Sequence, residues 1–348
     1  MTAPVDWSLA RRLGRRFAPS GPDLELGQAR EVVAQLRDHA EEAREQVFSI
    51  TGMHAEPGHP AVVVDRGEWI DSNVAAMAAV LALWPAAQER SDEASAAVRA
   101  VGTRTSAVQL GAALGWLSGK VLGQYEALAD PGRLLLVAPT IVDVERGLEV
   151  NERDFRLWVC LHEETHRVQF GAVPWLGDHF TGLITRALET FDESSFGDRL
   201  FAIIGEIFEA FVQRRTPDII AAAQTDEQRA ILDEITGLMS VLEGHADVVM
   251  DEVDISVVPT VAQIRDRFEG RRASQAAVRG ADSLWRKALG MDAKMAQYRE
   301  GAAFVRALMD QGGMAMVNRV WEAPENLPSV EEVREPSLWL ARMRGMAA

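Results

Sequence analysis

The sequence predicts a mainly α-helical α+β fold, with a small β element close to one functional helix. Three observations carry this. Apolar residues recur every three to four positions along most of the 348 residues. Only two short runs are rich in β-branched residues and bounded by turn residues. The pentapeptide His162-Glu163-Glu164-Thr165-His166 lies in a stretch with no Pro or Gly until Gly171, where a helix is the natural conformation.

Taken in order, Met1 to Pro19 carries Arg11, Arg12, Arg15 and Arg16 with no apolar run behind them, so it does not read as a secretory leader. Helical periodicity covers 25–50, 68–90 and 91–127. The turn cluster Glu56-Pro-Gly-His-Pro60 precedes a first strand candidate, Ala61 to Asp65. The longest apolar stretch, Val74 to Ala87, is too short to cross a bilayer and contains Pro85. Within 91–127, Gly111, Gly115, Gly119 and Gly123 recur every four residues. Helix-interior glycines cost about 1 kcal/mol each relative to Ala, so the spacing predicts a tightly packed internal helix compensated by close backbone approach. Gly119-Lys120 does not form a phosphate loop, because Leu114 stands where a Gly is required and Val121 where Ser or Thr is required.

Beyond Asp130-Pro-Gly132 lies the second strand candidate, Leu134 to Val142, in which Pro139 points to an edge or irregular strand. Helices follow over 154–171, 179–191, 198–214, 226–253, 260–288 and 291–310. The segments Trp321 to Pro328 and Glu335 to Trp339 read as irregular straps. The chain divides into an N-terminal helical region, 1–130, and a catalytic region, 131–348, packed together as one unit.

Composition excludes several classes. Against 52 Asp+Glu stand 36 Lys+Arg, a formal charge of −16, which repels a phosphate backbone over most of the surface and argues against nucleic acid. Cys160 is the single cysteine, so an intramolecular disulfide and any Cys-based metal site are ruled out. It reads as a small buried hydrophobe. A cytoplasmic protein without a membrane segment is expected, and the sequence is silent on oligomeric state.

The chemistry centres on the pentapeptide. Residues four apart share a helix face, so His162 and His166 can aim ring nitrogens at one ion, with Zn²⁺ the expected cofactor. Glu163 lies beside them, placed to take a proton from water rather than to bind the metal. A catalytic zinc site needs a third protein ligand and an open position. Leu242-Glu-Gly-His-Ala-Asp247 offers two candidates. On a helix, Glu243 and Asp247 share a face, whereas His245 points roughly 200° away from Glu243 at 100° per residue. Glu243 is the preferred ligand, with Asp247 orienting a ligating histidine through its other ring nitrogen. His245 is the alternative ligand. Tyr125 and Tyr298, the two tyrosines, are candidates to stabilise an oxyanion, Tyr298 being the one assigned that catalytic role; Lys294 shares its helix face. Arg167 and Gln169 read as supporting or packing residues.

The chain resembles the zincin-like metallopeptidases of actinobacteria and related bacteria. The likeness rests on Val5-Asp-Trp7, Val64-Asp-Arg66 with Trp69-Ile70 and Asn73, Leu122-Gly-Gln-Tyr125, Val137-Ala-Pro139, Trp158-Val159, Leu161 to Phe170, Pro174-Trp175, Glu243 to Asp247 with Met250-Asp251, and Lys294 to Tyr298 with Gly301 and Phe304. Thr140 departs from it, since the family favours Asn after Ala-Pro. The resemblance implies a zincin-like α+β fold, a metal site whose second helix is like that of glutamate-zincins, and hydrolysis of a peptide or amide. One branch of the family is associated with biosynthesis of a deazaflavin coenzyme. Two other readings stay open: a zincin-shaped binding or scaffold protein, and a hydrolase of a non-peptidic amide linked to coenzyme assembly.

Overall fold

The structure is a computed structural model that describes residues 5–55, 60–82, 96–129, 131–190, 225–276 and 298–346. The helix expected over 198–214 lies outside the described residues, as do parts of those expected over 68–90, 260–288 and 291–310.

The chain opens with α1 (Trp7–Phe17), which the sequence did not announce, and α2 (Leu26–Thr51). Gly52 closes α2 in the left-handed conformation at φ 66°, which a β-carbon disfavours. Next come β1 (Val62–Val64), α3 (Arg66–Ala82) and α4 (Ala96–Ser118). The helix expected to continue to residue 127 instead ends at Ser118, and Gly123–Glu126 forms strand β2. A turn at Gly119-Lys120 separates them, with Lys120 N–H donating to Leu117 O. The glycine spacing therefore runs through two different elements. Gly111 and Gly115 let α1 approach: a β-carbon would fall 2.8 Å from Ala10 O at the first and 2.7 Å from Phe17 Cβ at the second.

Strand β3 (Arg133–Val137) is central, with β1 parallel on one side and β2 antiparallel on the other. The strand expected to reach Val142 stops at Val137, because α5 (Ala138–Leu148) begins there with Pro139 in its first turn. Proline suits that position: its fixed φ is helical and its missing N–H is one that has no intrahelical acceptor. Nor is β3 an edge; the outer strand beside the functional helix is β2. Thr140, at the departure from the family pattern, is buried, accepts from Arg66 Nε at 3.1 Å and donates to Ser118 O at 2.8 Å. It is a structural tie.

Helix α6 (Glu152–Ala172) is capped by the Asn151 side chain, which accepts from Asp154 N, and is buried without interruption from Asp154 to Gln169. A helix buried all round belongs at the centre of a fold. Helix α2, the sheet and α8 (Asp226–Glu252) pack around it, with α7 (Leu176–Thr190) between α6 and α8. Thr225 and Gln228 form a capping box that starts α8. Helices α9 (Val261–Ala276) and α10 (Tyr298–Asn318) complete this layer, α10 lying along α8. The C-terminus is more regular than expected: short 3-10 turns at Arg319–Trp321 and Pro324–Asn326 lead to α11 (Val330–Arg334) and α12 (Pro336–Met346). Trp339 pins α12, donating from Nε1 to Asn326 O at 2.7 Å. Among the described residues, no helix is long and apolar enough to cross a membrane.

Candidate metal centre

The first two donors follow from helix geometry alone. His162 and His166 sit one turn apart on α6, ring centroids 4.6 Å apart, with their Nε2 atoms separated by 3.1 Å. The third comes from packing. Helix α8 crosses α6 so that the Glu243 carboxylate lies 3.6 Å from His162 Nε2 and 3.5 Å from His166 Nε2. All three residues are buried, and among the described residues they form a group whose donor atoms lie within 4.8 Å of one another. Tetrahedral coordination at bond lengths of about 2.0–2.2 Å separates neighbouring donors by about 3.4 Å, the spacing found here to within a few tenths of an ångström. Two imidazoles and one carboxylate, with no thiolate, are a donor set suited to a borderline divalent ion. The residues fit a metal.

His166 is held from behind. Its Nδ1 lies 2.9 Å from Gln169 Oε1, and Gln169 Nε2 reaches Leu242 O at 2.9 Å and His245 Nδ1 at 3.1 Å. The carboxamide thus ties α6 to α8 at the residue before Glu243. The partner of His166 Nδ1 is therefore Gln169, one turn further along α6. Asp247 is buried one turn after Glu243, and its carbonyl accepts from Arg265. His245 is fully buried with its ring 5.6 Å from that of Trp321, and desolvation, helped by His166, pushes its pKa down to about 3. It lies outside the donor group and stays neutral.

Glu163, the residue after His162 on α6, is buried against the backbone of β2. A β-carbon on Gly123 would fall 2.6 Å from Glu163 Cγ and 2.9 Å from its Oε1. Sequence periodicity placed Gly123 on a helix and so missed this contact; the turn signal at Gly119-Lys120 was the available clue. Glu164 points the other way, into an ion pair with Arg167 at 2.7 Å, and burial outweighs that partner, raising its pKa to about 7. Tyr125 stacks on Phe170 at 5.8 Å, and burial raises its pKa. Tyr298 begins α10, but its side chain and Lys294 lie outside the described residues. Cys160 is fully buried, and desolvation raises its thiol pKa well above the usual range.

The zincin-like metallopeptidase family model matches residues 5–340, almost the whole chain. The chain belongs to the zincin-like metallopeptidase family. As a zincin-like protein it carries its H-E-x-x-H helix at the centre of a mostly helical fold, with the three-stranded sheet alongside. It is also similar to a crystal structure from Chloroflexus aurantiacus, provisionally described as a hydrolase with a novel fold. The identity is 29%, the TM-score 0.69, and the match covers 98% of this chain and 99% of that one. No curated protein matches the chain. Family and structural neighbour together support a metallohydrolase.

Proposed function

We propose that this zincin-like protein is a zinc-dependent hydrolase acting on peptide bonds. The observation that carries the reading is the convergence of His162, His166 and Glu243 from two helices, with Glu163 following His162 in the chain and its carboxyl lying against Gly123. These three residues would hold the ion. Zinc, when bound, supplies Lewis acidity and lowers the pKa of water to near 7. We assign Glu163 to accept a proton from the attacking water and deliver it to the leaving amine; the approach of β2, which closes its carboxyl in on one side, supports this role. Burial of the donors excludes bulk water and strengthens every charge interaction among them.

A peptide substrate is supported by the edge of β2. Val137 N–H donates to Leu122 O and Gln124 pairs with Leu135, so the alternation of an antiparallel ladder turns the Gly123 N–H and C=O away from β3. Those groups emerge next to Glu163, where an extended main chain could pair with them. Tyr298 is assigned the stabilisation of the oxyanion, from the start of α10.

The test is Glu163→Gln. The variant should keep one equivalent of zinc and the wild-type unfolding midpoint while losing about 100-fold or more of its turnover on a peptide library, the scale of general acid–base catalysis. Zinc-loaded wild type and variant with equal turnover would remove Glu163 from the reaction.

A further inference from the structure

The hydrogen bonds behind the donors run in one direction, and each can be assigned from the chemistry of its end. Leu242 O only accepts, so the Gln169 amide nitrogen must face α8. The amide oxygen therefore faces His166 Nδ1, and because that oxygen only accepts, Nδ1 must carry the proton. The second amide hydrogen points at His245 Nδ1, which accepts it. His245 thus carries its own proton on Nε2, a fully buried atom with no hydrogen-bond partner among the described residues. An apolar ring would fill this space without the cost of burying that N–H. What the imidazole adds is the acceptor at Nδ1.

We propose that His245 is a positioning residue for the metal centre: acting through Gln169, it locks His166 in the Nδ1–H form, which presents the Nε2 lone pair to the ion. With this acceptor gone, the carboxamide keeps only Leu242 O as its anchor and is held less firmly against the flip that turns its nitrogen toward His166. The other tautomer of His166 then becomes available, and its Nε2 carries a proton where the metal must bind. Outer partners of metal-binding histidines act in this way on ligand orientation and basicity. The consequence for metal binding rests on the zinc site proposed above; the tautomer of His166 does not.

Long-range proton–nitrogen NMR of the imidazoles reads the tautomer directly in the full chain, with His166 assigned from a His166→Gln variant. Zinc affinity is measured by competition with a chromophoric chelator. The metal-free wild type should show His166 protonated on Nδ1. His245→Phe, which keeps a ring but drops the acceptor, should show a mixture of tautomers and bind zinc about 10–100-fold more weakly. His245→Asn, which restores an acceptor near the Nδ1 position, should recover both. A wild-type His166 protonated on Nε2, or a folded His245→Phe with wild-type tautomer and affinity, overturns the proposal. If His245→Phe does not fold, loss of the Nδ1–H form in a folded His245→Asn overturns it instead, and its retention supports it. A wild type that binds no zinc defeats the proposed function, while the metal-free tautomer still decides this one.

Discussion

Gly123 and Glu163 meet so closely that the glycine's missing side chain is part of the site: a β-carbon there would lie 2.7 Å from Glu163 Cδ. The strand backbone acts as a wall that fixes where the carboxyl can stand. The three atoms nearest that position all belong to Glu163 and none to the donors His162, His166 and Glu243, so a change at Gly123 should act on the proton-moving group before it acts on the ion-holding ones.

Gly123→Ala tests that separation. The added methyl must displace the Glu163 carboxyl, and a misplacement of about 1 Å in a reacting group can cost about 100-fold in rate. Turnover should fall by 10–100-fold on that basis, with zinc content unchanged by elemental analysis. Loss of metal together with activity would show that the wall supports the donors as well.

Glu243 and His245 separate in the same way. Glu243→Ala removes one of three donors and should leave the purified protein with well under one equivalent of zinc. Asp247→Asn should retain it, because Gln169 rather than Asp247 is bonded to His166. Zinc loss in Asp247→Asn comparable to that in Glu243→Ala would return Asp247 to the role assigned from sequence.

Gly244, between those residues, sits where α8 touches α10. A β-carbon on it would fall 2.3 Å from Gly301 C, and one on Gly301 would fall 2.2 Å from Ser240 O. Both obstacles are backbone and cannot rotate aside. Gly244→Ala should therefore lower the unfolding free energy by about 1–3 kcal/mol in denaturant titrations, the usual cost of overpacking. The helix shift should weaken zinc binding too, through Glu243. An unchanged denaturation midpoint would mean that the α8–α10 crossing opens to admit a methyl group without cost.

Acid should unfold the protein partly through His245. Its pKa is depressed from 6.5 to about 3 in the fold, so the unfolded chain binds the extra proton between those values. The stability it contributes is fully present above about 6.5 and is lost as the pH falls toward 3. Between pH 7.5 and pH 5 the metal-free wild type should lose about 2 kcal/mol more than His245→Asn, in which this group is absent. Equal losses in urea titrations at the two pH values would show that His245 is charged in the fold. His39 contributes with the same sign, since burial also lowers its pKa.

The sequence by itself determined whatever depends on neighbours in the chain. The four-residue spacing of His162 and His166, the Glu163 between them, and the 200° that sets His245 apart from Glu243 are properties of a single helix, and helix periodicity is local. Most of the long helices were legible for the same reason, as was the β-branched run that became β1, whereas α1, α5, α11 and α12 were not. Tertiary structure alone decided the rest. The four-residue glycine spacing is compatible with one helix, yet Gly115 faces α1 while Gly123 faces Glu163 from a strand, because a missing side chain announces close approach without saying to what. Thr140 holds Arg66, and Gln169 joins His166 to His245, across 74 and 76 residues of sequence. Such partners are set by how buried faces pack, and the chain records each face without recording which one it will meet.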